Sequence, residues 1–321
     1  MTKLSSNNLI TIIGGSGFVG RHLVRELAKT DVRLRIAVRH PNEATFLRPM
    51  GRVGQIQIVQ ANIRNEASLA NAIAGAHSVI NLVGTVTNKG HQTFHAVHEA
   101  GPETLARLCT QAGTKRLIHV STIGADVGSV SKFARSKALG ERAVSEACPE
   151  ATIIRPSVIF GPEDAFFGRF AILAKLLIVM PLIGSGKTRF QPVYVDDVAQ
   201  AICAAITNDD TAGRTYELGG PRIWTLREVY EFILQTTQRS RLIVSVPFSI
   251  AKMASLIVQY LPRHLLRPDQ VNMLREDNVV GDDALTISDL GITPTPVEAI
   301  MPKFLIRYRK SGAYERDGAA S

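Results

Sequence analysis

The chain has 321 residues, 45% of them hydrophobic and 20% charged, which excludes a disordered polyelectrolyte and allows one large core or two modest ones. Its formal net charge of +9 favours anionic partners such as nucleotides, acidic proteins or an anionic bilayer face, without choosing among them. Cys109, Cys148 and Cys203 stand far apart with no CxxC pair, so neither a disulfide framework nor a zinc knuckle is expected, and a reducing compartment is.

Residues 1–8 are polar and lead straight into an apolar run without the layout of a signal peptide, so the mature chain is expected to start here. Strands are predicted at 9–13, 33–38, 55–59, 78–83, 117–121 and 152–155, because each is a short β-rich run bounded by turn residues. Between them Phe18, Val19, Leu23, Val24 and Leu27, and later Leu105, Leu108 and Ala112, recur at helical spacing. Strand and helix in alternation predict an α/β fold: a Rossmann-type doubly wound parallel sheet over residues 1–156. Beyond Pro156 apolar helical stretches and Gly/Pro punctuation dominate. A smaller, mainly helical C-terminal lobe is expected over 157–311, with one strand near 215–218 returning to the main sheet and a disordered tail at 312–321. The apolar runs at 170–183 and 247–261 are each interrupted by a lysine and fall short of the roughly 18 to 20 residues a spanning helix needs.

Directly after the first strand comes Gly14-Gly15-Ser16-Gly17-Phe18-Val19-Gly20, opening an amphipathic helix. Glycines here permit a tight turn and let a pyrophosphate approach the helix N-terminus, where free N–H groups and the helix dipole favour an anion. The second strand ends Val38-Arg39-His40, with no carboxylate to receive the ribose hydroxyls of NAD. Arg39 suits the 2′-phosphate of NADP instead, so NADPH is expected over NAD. Asn62 and Ile63, after the third strand, are placed to meet the adenine, and Leu82, Val83 and Gly84, after the fourth, to line its ribose side.

These motifs, with His119-Val120-Ser121-Thr122 and Arg155-Pro156-Ser157-Val158-Ile159-Phe160-Gly161-Pro162, resemble the extended and atypical short-chain dehydrogenase/reductases over residues 8–220. Catalytic members carry YxxxK, in which a lysine lowers the pKa of a tyrosine that exchanges a proton with the substrate oxygen. The matching window is Phe133-Ala134-Arg135-Ser136-Lys137, so the phenol is missing while Lys137 remains. The resemblance implies that Lys137 still hydrogen-bonds the nicotinamide ribose, that Pro156 and Val158 lie against the cofactor, and that Ser121, Thr122, Phe133 and Lys137 form a vestigial site. The stretch from Ser131 to Glu141 is most similar to the NADPH-binding accessory subunits of respiratory complex I and their bacterial relatives. That likeness implies a structural or regulatory cofactor, complex I subunits as partners, and a peripheral seat on the cytoplasmic face of a bacterial inner membrane, or on the matrix face for a mature eukaryotic chain.

His91, His95 and His98 share a helical spacing but have no cysteine or carboxylate cluster beside them, so no metal site is expected. Gly184-Ser185-Gly186-Lys187-Thr188 lacks the glycine and strand of a phosphate loop and is read as a turn, and Asp196 and Asp197 as helix-capping acids. Ile250, Ala254, Ile257, Val258 and Leu261 recur at helical spacing ahead of Arg263 and Arg267, a pattern suited to a membrane surface or a docking partner. A second basic cluster, Lys303, Arg307, Arg309 and Lys310, adds to it; nucleic acid has only the net charge in its favour and is not expected. Two readings stay open: a non-catalytic NADPH-binding subunit, and an active NADP-dependent reductase or epimerase-type enzyme drawing its proton from Thr122, Thr85 or water.

Overall fold

The computed structural model describes residues 5–88, 90–258 and 268–309, so the proposed tail at 312–321, Lys310, Arg263 and Arg267 lie outside the described residues. Strand β1 (Leu9–Ile13) is buried at every position, as a strand covered on both faces must be. It lies in a parallel sheet with β2 (Arg33–Val38), β3 (Ile56–Gln60), β4 (Ser78–Asn81), β5 (Arg116–Val120), β6 (Thr152–Pro156), β7 (Thr215–Leu218) and β8 (Leu285–Thr286). The order is β8-β7-β6-β5-β4-β1-β2-β3. From β1 the chain winds outward through β2 and β3, then returns to β4 on the other side, which puts the topological switch between β1 and β4, where open α/β sheets hold ligands at the carboxyl ends of their strands.

Helices α1 (Phe18–Ala28), α2 (Glu66–Ile73), α3 (Gly101–Gln111), α4 (Lys132–Ala147) and α5 (Val195–Thr207) cover this sheet, and a π-helical turn, His95–Ala100, runs directly into α3. Ile63, Leu69, Val97, Leu105, Cys109, Val144 and Ile153 share one buried cluster. Where α4 crosses the π turn, a Cβ on Gly140 would lie 1.7 Å from the carbonyl oxygen of His98, so only glycine lets the two backbones meet.

Two compact units emerge: residues 1–156, 195–218 and 280–293 form the first, and residues 157–194, 219–279 and 294–321 the second. Besides residues 1–156, the first unit thus holds the expected returning strand β7 and, beyond what was expected, α5 and β8. Helix α5 buries Val195, Val198, Ala199, Ile202 and Ile206, and its Asp196 pairs with His22 Nδ1 on α1, so its apolar stripe belongs to the sheet unit. The second unit is less purely helical than its sequence suggests. Residues 170–183 break into a helix, Phe167–Leu176, and a strand, Val179–Ile183, which pairs in parallel with Leu242–Val246.

Candidate dinucleotide site

The glycine loop performs three separate geometric tasks. Gly14 sits at φ 83°, a left-handed conformation that side chains disfavour, and its N–H donates to Ala37 O (2.9 Å) at the end of β2. At Gly20 a Cβ would fall 2.4 Å from Gly15 O, so α1 packs directly on the loop. Gly17 differs: a Cβ there would meet only Gly14 O, at 3.4 Å. It is the N-cap of α1, no side-chain cap hydrogen bond is made there among the described residues, and the first turn holds no acid. A bare, uncapped helix N-terminus opening away from the protein fits a pyrophosphate. Ser16, Phe18 and Val19 complete the loop and the first helical turn.

Arg39 is exposed just past the end of β2. Asn62 uses its Oδ1 to accept from Arg64 N (3.1 Å), shaping the turn after β3. Ile63 is only 4% exposed as a whole residue, and its side chain belongs to the core beneath that turn, packed against Gly101 of α3 rather than open to an adenine. Strand β4 ends at Asn81, sooner than expected, because Leu82 N still donates to Ile13 O while Val83 N turns back onto Asn81 Oδ1 (3.1 Å). Leu82, Val83 and Gly84 are thereby loop residues beside β1, and Val83 Cγ2 lies 3.1 Å from where Gly14 would carry a Cβ.

Lys137 is buried and donates through Nζ to Val120 O (3.0 Å) at the end of β5. Burial pushes its ammonium down to about 8, with Glu141 opposing the shift, so near neutral pH it remains largely a cation able to donate. A Cβ on Gly84 would stand 3.8 Å from Lys137 Nζ and 3.9 Å from His98 Nε2, which brings the ends of β4 and β5 and helix α4 to one place. Phe133, one helical turn before Lys137, lies edge-on to Phe94 and to His98, with ring centroids 6.1 and 5.4 Å away. Pro156 closes β6 and accepts from Ile123 N (3.0 Å). Val158 falls in the second unit, where its N–H donates to Asn278 Oδ1 (3.0 Å).

Two histidines of this region, His98 and His119, are buried. Thr85 N donates to His98 Nε2 (3.0 Å), so the ring proton sits on Nδ1 and points to Ser136 Oγ (2.8 Å), which in turn donates to Phe133 O. The Asn81 amide, its oxygen fixed by Val83 N, gives a hydrogen to His119 Nδ1 (3.1 Å) and leaves the proton on Nε2. That Nε2 and the Ser121 hydroxyl are buried polar atoms without a hydrogen-bond partner among the described residues, at the strand end where a nicotinamide would lie. Thr122 Oγ1, by contrast, donates to Ile123 O, and Thr85 Oγ1 to Thr87 O.

Burial, reinforced by the nearby charge of Lys137, drives both imidazoles from 6.5 down to about 3. The unfolded chain takes up these protons near pH 6.5 and the folded chain does not, so their contribution to stability is complete above that pH and fades as pH falls toward 3. Thermal unfolding should therefore shift to lower temperature through this acid window, and His119→Asn should flatten the dependence; a midpoint unmoved between pH 6.5 and 4 would contradict the buried neutral pair.

Among the described residues no cluster suited to a metal ion occurs and no helix is long and apolar enough to cross a membrane. A concavity of about 410 Å³, lined by Leu9, Arg33, Arg35 and Arg48, lies at the amino ends of the strands and holds none of the site residues.

Residues 10–219 match the model of the NAD dependent epimerase/dehydratase family. The chain is also 38% identical, over 96% of its length and 79% of the relative's, to the mitochondrial NADH dehydrogenase (ubiquinone) 1 alpha subcomplex subunit 9 of Arabidopsis thaliana. It belongs to this epimerase/dehydratase family, in the branch of the alpha subcomplex subunit 9 proteins. The Mus musculus subunit 9 is 34% identical over 95% of this chain and 81% of its own. An Escherichia coli NADPH-dependent quinone oxidoreductase complexed with NADPH shares the fold, with a TM-score of 0.72 at 20% identity over 92% of this chain and 99% of that one. A nicotinamide dinucleotide is the cofactor class of such a family member, in agreement with the bare N-terminus of α1.

Proposed function

We propose that this chain is a non-catalytic, NADPH-holding accessory subunit of a respiratory NADH:ubiquinone oxidoreductase, seated peripherally on the cytoplasmic side of the membrane. The observation that carries the reading is an intact phosphate loop and buried Lys137 beside Phe133, a ring that has no proton to give and is packed against Phe94 and His98. Subunit 9 relatives matching nearly the whole chain support the assembly. When bound, the cofactor brings a nicotinamide able to donate hydride. Gly14, Gly15, Gly17 and Gly20 shape the seat for its phosphates, Lys137 is placed to donate to its ribose, and Leu82, Val83 and Gly84 to flank it.

The rival reading, a working reductase or epimerase, needs a proton donor in place of the phenol. Thr122 and Thr85 already donate to backbone carbonyls, which supports the non-catalytic reading, and Ser121 is the hydroxyl left over. A tagged chain drawn from detergent-solubilised membranes should bring the subunits of the oxidoreductase with it. Recovery alone, in cells that assemble the complex, would refute the assignment.

Cofactor choice rests on Arg39. A charge-assisted hydrogen bond contributes about 1.5 to 3 kcal/mol, so NADPH should bind roughly 10- to 150-fold more tightly than NADH. Arg39→Asp should abolish or reverse this ratio, as read by competition between the two nucleotides; an unchanged ratio would remove Arg39 from the site.

A further inference from the structure

Two stretches of sequence that run through the second unit are free of acids. Residues 165–195 contain four Lys or Arg and residues 232–268 contain five, with no Asp or Glu in either stretch. In the fold these stretches meet. Leu242 lies opposite Val179 in the parallel strand pair, and Arg241 Nε donates to Ala174 O (2.9 Å), tying the second strand to the helix that precedes the first.

These stretches also expose apolar side chains to water. Leu176, Ile178, Val179, Leu242 and Val244 are exposed, Ile178 at 82%. The helix Phe248–Val258 continues from the second strand and exposes Ile250, Met253 and Leu256, three residues apart, while Ala251 and Ser255 are buried. Of the stripe read from the sequence, Ile250 and Ala254 face solvent, Leu261 lies outside the described residues, and the helix turns Ala251 and Ser255 inward instead. Large exposed apolar clusters mark an interaction surface.

We infer that this face is a seat for an anionic phospholipid bilayer, with the aliphatic side chains entering the headgroup boundary and the lysines lying among the phosphates. Protein contacts concentrate energy in Trp, Tyr and Arg and are poor in Lys, whereas these exposed anchors are Leu, Ile, Val and Met, with Lys175 and Lys252 exposed among them. Lysine stems lie along apolar surface and keep the ammonium in the headgroup layer. The subunit reading supplies only the identity of the membrane; the face stands on its own charge and exposure.

Flotation of the full chain with vesicles tests this, using phosphatidylcholine alone and an equal mixture with phosphatidylglycerol. The chain should rise with the mixed vesicles and not with the neutral ones. Each basic group near an anionic surface is worth about five-fold in binding, so K175Q with K252Q should weaken partition roughly 25-fold, and I178S with M253S should weaken it further. All four side chains are exposed, so the melting temperature should stay put. Equal partition to both vesicles, partition to neither, or indifference to the substitutions overturns the inference. A dimer that dissociates with the same substitutions, or loss of co-purifying subunits without any vesicle binding, overturns it in favour of a protein contact. Vesicle binding by a chain that co-purifies with no respiratory subunit sustains it and sinks the subunit reading instead.

Discussion

Gly17→Val is expected to abolish binding of both NADPH and NADH while the protein stays folded. Inside the chain a Cβ at this position meets nothing closer than Gly14 O at 3.4 Å, so the branched side chain extends into the space before the first turn of α1. That space is where the pyrophosphate must approach the helix N–H groups. Losing two hydrogen bonds to a charged group weakens binding by at least about 100-fold. Gly20→Val is the informative contrast, because its Cβ would collide with Gly15 O at 2.4 Å and the loop itself must move. Melting curves without nucleotide should place Gly17→Val near the unmodified protein and Gly20→Val well below it, while titration finds binding in neither. A Gly17→Val protein that binds either nucleotide normally would mean that the phosphates sit elsewhere.

Steady oxidation of NADPH by carbonyl substrates should be slow or absent. General acid catalysis is worth about 100- to 10,000-fold, and Phe133 cannot supply it. The aromatic packing offers no replacement: His98 is neutral, its Nε2 accepts from Thr85 N and its single proton is committed to Ser136. Phe133→Tyr restores a phenol one turn from Lys137 but supplies neither a substrate nor its orientation, so it need not create activity. Turnover by the unmodified protein at about one per second, a rate ordinary for enzymes, would overturn the non-catalytic reading.

Much of the first unit was legible because its signals are local. A glycine loop between an apolar strand and an amphipathic helix needs no distant partner to be recognised, and neither does the missing phenol at Phe133. What escaped depends on partners far along the chain. Strand β8 is two residues long, Leu285 and Thr286, and exists only because β7 offers an edge. The amphipathic pattern of α5 shows that one face is buried but not which unit buries it. His98 was grouped with His91 and His95 on an α-helical period, yet residues 95–100 form a π turn, whose wider winding leaves His95 exposed and turns His98 into the core against Ser136. The run at 170–183 is apolar throughout most of its length, and composition alone does not separate the helix ending at Leu176 from the strand starting at Val179. Ile63 illustrates the same limit: its position just after β3 is legible in the sequence, but not that α3 claims its side chain.

Calorimetric titration of nucleotide-stripped protein with NADPH and NADH, followed by the absorbance of the bound NADPH over time, tests the holding role most directly. The expected result is one tight site that prefers NADPH by roughly 10- to 150-fold through Arg39, raises the melting temperature by mass action, and keeps its nicotinamide reduced. Equal affinities, binding of neither nucleotide, or steady loss of the reduced nicotinamide in the presence of a carbonyl or quinone acceptor would contradict it.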